Sequence, residues 1–96
     1  MKQEQKQSEQ KTTVVNLRKE KHDAYIGRGS IFGNPFYIGK DGNREQVIEK
    51  YKKYFEKKLE DNKFRDEVLK LKGKVLGCYC KPLACHGDVI AEYLNR

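Results

Sequence analysis

Between Gly27 and Gly39 the chain places four of its eight glycines together with Asn34-Pro35. Residues of these types dictate tight turns, so neither a helix nor a long strand ladder can run through this stretch. Ile31, Phe32, Phe36, Tyr37 and Ile38 stand among them, which makes it an ordered loop packed against a core rather than a linker. Regular structure must therefore lie on either side of it.

On the amino-terminal side, residues 1–11 are polar and charged after the first methionine, cannot offset the entropy of ordering, and read as a disordered tail ahead of one domain spanning residues 12–96. Thr12 to Leu17 is β-branched and apolar and reads as a buried strand ending near Arg18, and Ala24 to Gly27 as a short second strand. Beyond the loop, Asn43 and Gln46 form a capping-box pair. Val47, Ile48, Tyr51, Tyr54, Phe55 and Leu59 then follow at helical spacing to about Glu60. Asp61-Asn62 caps a second helix that turns Phe64, Val68 and Leu71 inward as far as Gly73. Lys74 to Cys80 reads as a strand, Lys81 to Leu83 as a turn, and Cys85 to Asn95 as a helix burying Val89, Ile90, Tyr93 and Leu94. This order predicts an α/β fold: a small, mostly parallel sheet of two or three strands with a helical crossover and a C-terminal helix, half of a Rossmann-like unit.

Ninety-six residues suffice for one such domain with a lean core, since 36% of the chain is hydrophobic and another 36% charged. Apolar runs are too short for a membrane span or a secretory leader, which predicts a soluble, cytoplasmic protein with no membrane partner. Three cysteines within eight residues are not a disulfide framework and suit a reducing compartment. The formal charge of +7 attracts polyanions or phosphorylated metabolites. Most of the excess lies on lysine-rich stretches interleaved with glutamates, the pattern of a solvated helix face, and no aromatic is interleaved there as a stacking platform, so nucleic acid is the less favoured partner. Unpaired edges on so small a sheet predict a homo-oligomer.

Ligands of open α/β sheets collect beyond the carboxyl ends of the strands. There the first strand delivers Asn16 and Arg18, and Tyr25 leads into Arg28, Gly29, Ser30, Gly33 and Asn34, whose backbone amides and guanidinium suit an anion. From the other half of the chain come Cys85, His86 and Asp88 at a helix N-terminus. These eleven residues are the candidate ligand-binding set. The glycine-rich loop matches no standard phosphate-loop spacing, and its glycines could equally serve the backbone alone. Cys78, Cys80, Cys85 and His86 are the densest constellation of metal-capable side chains in the sequence. Cysteines two apart on a strand diverge from a zinc knuckle, so no metal and no other cofactor is expected, and the cysteines read as small buried residues. Cys85 and His86 could form a nucleophile and base, but neighbours on a helix do not hydrogen-bond readily to each other, which leaves catalysis open.

Val15-Asn16-Leu17-Arg18, Tyr25-Ile26-Gly27-Arg28-Gly29-Ser30, Gly33-Asn34-Pro35-Phe36, Gly77-Cys78-Tyr79-Cys80 and Cys85-His86-Gly87-Asp88 together resemble a small bacterial and phage family, domain of unknown function 4326. The resemblance covers residues 14–95 and implies that these motifs belong to one domain; it supplies no reaction. A short stand-alone version resembles phage accessory proteins, a class that includes sponges of nucleotide immune signals. The leading expectation is accordingly a binding protein for a nucleotide-derived anionic small molecule, a phage anti-defence sponge. The alternatives are an enzyme acting on a nucleoside or ADP-ribose bond and a zinc-stabilised nucleic-acid-binding module.

Overall fold

A computed structural model describes residues 11–96, and the tail assigned to residues 1–11 lies, but for Lys11, outside them. In chain order the elements are β1 (Thr13–Asn16), β2 (Ala24–Tyr25), α1 (Arg44–Lys58), α2 (Asn62–Leu69), β3 (Val75–Cys78) and α3 (Gly87–Leu94). The three strands form one parallel sheet in the order β1-β3-β2. Val14 and Ala24 both align with Leu76. The fold is thus the small α/β sheet with crossover helices and a C-terminal helix that the residue pattern predicts.

The last strand takes the centre because both earlier strands need a partner and only a crossover can supply a parallel one. That placement corrects the reading of β1 as a buried strand. β1 lies at an edge, with Thr13 exposed and Val14, Val15 and Asn16 half-buried, whereas Leu76, Gly77 and Cys78 of β3 are buried. β1 is also shorter than expected, because the amides of Lys19 and Glu20 both turn back onto the Asn16 carbonyl.

Asn43 and Gln46 cap α1 reciprocally, each side chain accepting from the other's backbone amide at 2.9 Å. Asp61 caps α2 through the amides of Lys63 and Phe64. That helix stops at Leu69, short of the expected Gly73, and the chain descends through successive turns into β3. Tyr51, Phe55, Phe64, Val68, Leu76, Ile26, Ile90 and Leu94 build the core, with Ile48, Tyr54, Leu59 and Tyr93 half-buried around it. α3 starts at Gly87, two residues later than expected, where a Cβ would stand 2.7 Å from the Ile26 side chain and 3.0 Å from Val14. Glycine there lets the helix settle closely onto the sheet. Among the described residues no helix is long and apolar enough to cross a membrane.

Candidate functional site

The segments that leave the carboxyl ends of β2 and β3 carry most of the exposed large hydrophobic side chains among the described residues. Of the seven large hydrophobic side chains exposed among the described residues, Tyr25, Ile31, Tyr37, Ile38, Tyr79 and Leu83 lie in β2 or in the segments that follow β2 and β3, and Leu69 alone lies elsewhere. Such clustering marks a contact surface rather than scattered exposure. Alternation along β3 explains Tyr79: Cys78 turns into the core, so the next side chain turns out.

These tyrosines interleave with arginines. The Arg18 guanidinium rests 5.0 Å from the Tyr79 ring, and Tyr79 meets Tyr25 edge-on at 6.3 Å. The Tyr25 hydroxyl donates to the Arg28 carbonyl at 2.7 Å, and the Arg28 guanidinium lies 4.0 Å over the Tyr37 ring. A continuous strip thus runs from Arg18 through Tyr79, Tyr25 and Arg28 to Tyr37. Residues 24–40 and 76–87 contribute Arg28, Lys40 and Lys81, and the carboxylates that reach these segments are engaged, Asp41 by the Tyr37 amide at 2.8 Å and Asp88 by Lys81 and the Cys85 amide.

Arg28 also builds the loop on which it sits. Its guanidinium donates to the carbonyls of Asn34 at 2.6 Å and Phe36 at 3.2 Å. The amides of Ser30 and Gly33, which the sequence offers to an anion, are used inside the loop by the carbonyls of Gly27 and Ser30. Ser30 Oγ donates to Gly27 and the Asn34 side chain accepts from the Phe36 amide. At Gly33 a Cβ would lie 2.7 Å from the Gly27 carbonyl oxygen, so the loop closes this tightly only with glycine. What the loop presents outward is a shallow depression of about 360 Å³ lined by Arg28, Gly29, Ser30, Gly33 and Asn34 together with Tyr37, Tyr54 and Lys58.

Cys85, His86 and Asp88 do not line that depression. His86 is 8% exposed; its Nε2 stands 2.6 Å from the Ile26 carbonyl, and its ring meets Tyr51 edge-on at 5.1 Å. Burial lowers the His86 pKa below its usual 6.5, helped by the charge of Arg28 and opposed by the hydrogen bond to Ile26 and by Asp88. The imidazole is a neutral pin between β2 and α3. Asp88 accepts from the Cys85 amide at 3.1 Å and pairs with Lys81 at 2.5 Å. Burial opposes the charge on Lys81, but the hydrogen bond and charge of Asp88 outweigh it and raise its pKa. Asn16 is a clamp as well: its side chain donates to the Lys81 carbonyl at 2.8 Å and accepts from the Arg18 amide at 2.9 Å, fixing where Arg18 emerges.

The sulfurs of Cys78 and Cys85 lie 3.2 Å apart in the core. The hydrogen bond between them is the main cause of a lowered Cys78 pKa and a raised Cys85 pKa, so the pair shares one proton more readily than it releases two. Among the described residues no group of three or more histidine, cysteine, aspartate or glutamate side chains is placed to hold a metal ion. Of the eleven candidate residues, the structure therefore assembles Arg18, Tyr25 and Arg28 on one exposed surface, with Gly29, Ser30, Gly33 and Asn34 adjoining. It sends Asn16, Cys85, His86 and Asp88 into support. Tyr37, Tyr79 and Lys58 are missing from the set because each is flanked by residues of other roles, and only the alternation of β3 gave a signal, for Tyr79.

The family model described as domain of unknown function (DUF4326) matches residues 7–96. The chain belongs to the DUF4326 family. One relative, an uncharacterized 12.4 kDa protein in the nrdA-td intergenic region of Enterobacteria phage T4, is 46% identical over 85 residues, covering 86% of this chain and 77% of the relative. Another relative, the uncharacterized protein R718 of Acanthamoeba polyphaga mimivirus, is 31% identical over 103 residues, covering 82% of this chain and 76% of its own. No solved structure matches the chain.

Proposed function

We propose that this DUF4326 protein binds a nucleotide-derived anionic ligand at the carboxyl edge of its sheet, by stacking bases on Tyr79, Tyr25 and Tyr37 and pairing phosphates with Arg18 and Arg28. The observation that carries this reading is the strip itself, in which cation and aromatic ring alternate on an exposed surface whose carboxylates Asp41 and Asp88 are already held by the Tyr37 amide and by Lys81. Rings offer every base a face, and guanidinium groups meet phosphate oxygens in a matching fork. Sequestration without turnover suits the site, because the groups that could attack or transfer a proton are engaged within the core: Cys85 against Cys78, and His86 on Ile26. A phage-encoded protein of this kind would withdraw an immune signalling nucleotide from its host receptor.

Calorimetric titration with adenine nucleotides, cyclic dinucleotides and ADP-ribose derivatives tests the proposal. Arg18→Ala and Tyr79→Ala should each weaken the bound ligand by about fivefold or more, the worth of one stacked base or one charge-assisted bond. Lys52→Ala, half-buried in the groove between α1 and α3 and away from the strip, should change little. Chromatography of the ligand after incubation should recover it intact. Losses of equal size at Lys52 and Arg18, or conversion of the ligand, would point instead to bulk charge or to an enzyme.

A further inference from the structure

The strip is open, and its parts repeat. Tyr79 is 53% and Tyr37 50% exposed, whereas a site for a single small molecule encloses most of its ligand. Arg18 with Tyr79 makes one unit of cation and ring, and Arg28 with Tyr37 a second, with Tyr25 joining them. Beyond Tyr37, across the depression, Lys58 adds a further cation, its ammonium 4.9 Å from the buried Phe64 ring and 5.6 Å from the half-buried Tyr54 ring. One nucleotide can occupy one unit and leaves the other, and Lys58, unused. A chain of nucleotides offers one base and one phosphate per repeat, as this surface does.

Resting on the reading of the strip as a nucleotide site, we propose that its occupant is single-stranded nucleic acid, laid from Arg18 across Tyr79, Tyr25 and Arg28 to Tyr37 and Lys58. Unstacked bases are what exposed rings can receive, and a duplex hides them. Three separated tyrosines thereby supply the stacking platform that no contiguous stretch of the sequence contains. The formal charge of +7 adds a field that draws a polyanion towards the surface from any approach. Both DNA and RNA carry the recognised features, so the strand's sugar is left to the measurement.

Fluorescence anisotropy with labelled oligothymidylates and oligouridylates of increasing length, beside a duplex of the same sequence and free mononucleotides and cyclic dinucleotides as competitors, is the test. Affinity should climb with length to roughly four nucleotides and flatten after it, and the duplex should bind more weakly. Tyr79→Ala and Tyr37→Ala should each lose about fivefold or more, and Tyr79→Phe should recover the loss by restoring the ring. Arg18→Gln should reduce the slope of log affinity against log salt by about 0.7, one phosphate contact on a single strand. Tyr79 is exposed, so its variants keep the fold, which circular dichroism verifies. If a mononucleotide or cyclic dinucleotide binds as tightly as any oligomer and Tyr79→Ala weakens it, the nucleotide site stands and the strand is overturned. If the duplex binds as well as the single strand, or Tyr79→Ala is silent towards oligomers, the strand is likewise overturned. If neither oligomers nor nucleotides bind, both readings fall together.

Discussion

His86 shows how a residue chosen for chemistry can serve the fold instead. A histidine beside a cysteine at a helix start suggests a proton carrier, but burial against Tyr51 and the Ile26 carbonyl holds it neutral. The sign of the consequence follows from linkage. The unfolded chain takes up a proton near the ordinary histidine pKa of 6.5 and the folded chain only below it, so acidification through that window favours unfolding. Stability should be fully present above about pH 6.5 and decline as the pH falls towards the folded value. In His86→Gln, whose amide can still donate to Ile26, melting temperatures between neutral and mildly acidic pH should flatten relative to the parent chain. An unchanged profile would assign the decline to another group.

At the scale of elements, order and type were legible in the residues because each carried its own local signal. The capping box announced α1, Asp61 announced α2, and β-branched or apolar runs announced β1 and β3. What local signals could not tell was which strand stands at the centre, since that depends on how crossovers return to a common partner. Nor could they place Tyr25, Tyr37 and Tyr79 together, because parallel neighbours come from distant segments and sequence spacing carries no trace of the contact. The anchoring of β1 was hidden for the same reason. Asn95, just past α3, accepts from the Thr12 amide at 2.8 Å and donates to the Thr12 carbonyl at 2.9 Å, acting as a short substitute for a strand partner. Thr12 is buried, and its hydroxyl in turn accepts from the Gly73 amide at 2.8 Å. Asn95→Ala should therefore cost about 1–3 kcal/mol, the range for buried backbone groups left without partners. Asn43→Ala at the exposed cap of α1 should cost about 1 kcal/mol. Urea midpoints of the two variants measure the difference, and an Asn95→Ala midpoint equal to the parent's would remove the clamp.

For the whole molecule, the question is how a diffuse positive charge and a local strip divide the work of binding. Apart from Lys58, which lines the depression, the lysines of α1 interleave with glutamates away from the strip, so their contribution is a long-range field that dies away within about a Debye length, roughly 8–10 Å at moderate salt. A field of this kind accelerates encounter and does little to hold a partner once docked. The strip acts at contact range, through rings and guanidinium groups that must separate before the ligand leaves. The two contributions should consequently appear in different rate constants. Replacing Lys52, Lys53 and Lys57 together by glutamine should slow association with an oligonucleotide and flatten its dependence on salt, with dissociation nearly unchanged. Tyr79→Ala should leave association close to that of the parent and speed dissociation by about fivefold or more, since stacked bases are what it releases. Stopped-flow mixing at two ionic strengths resolves both constants for each variant. Were the lysine variant to dissociate faster while Tyr79→Ala changed neither rate, the binding surface would lie on α1 and the strip would be a support for the loop above it.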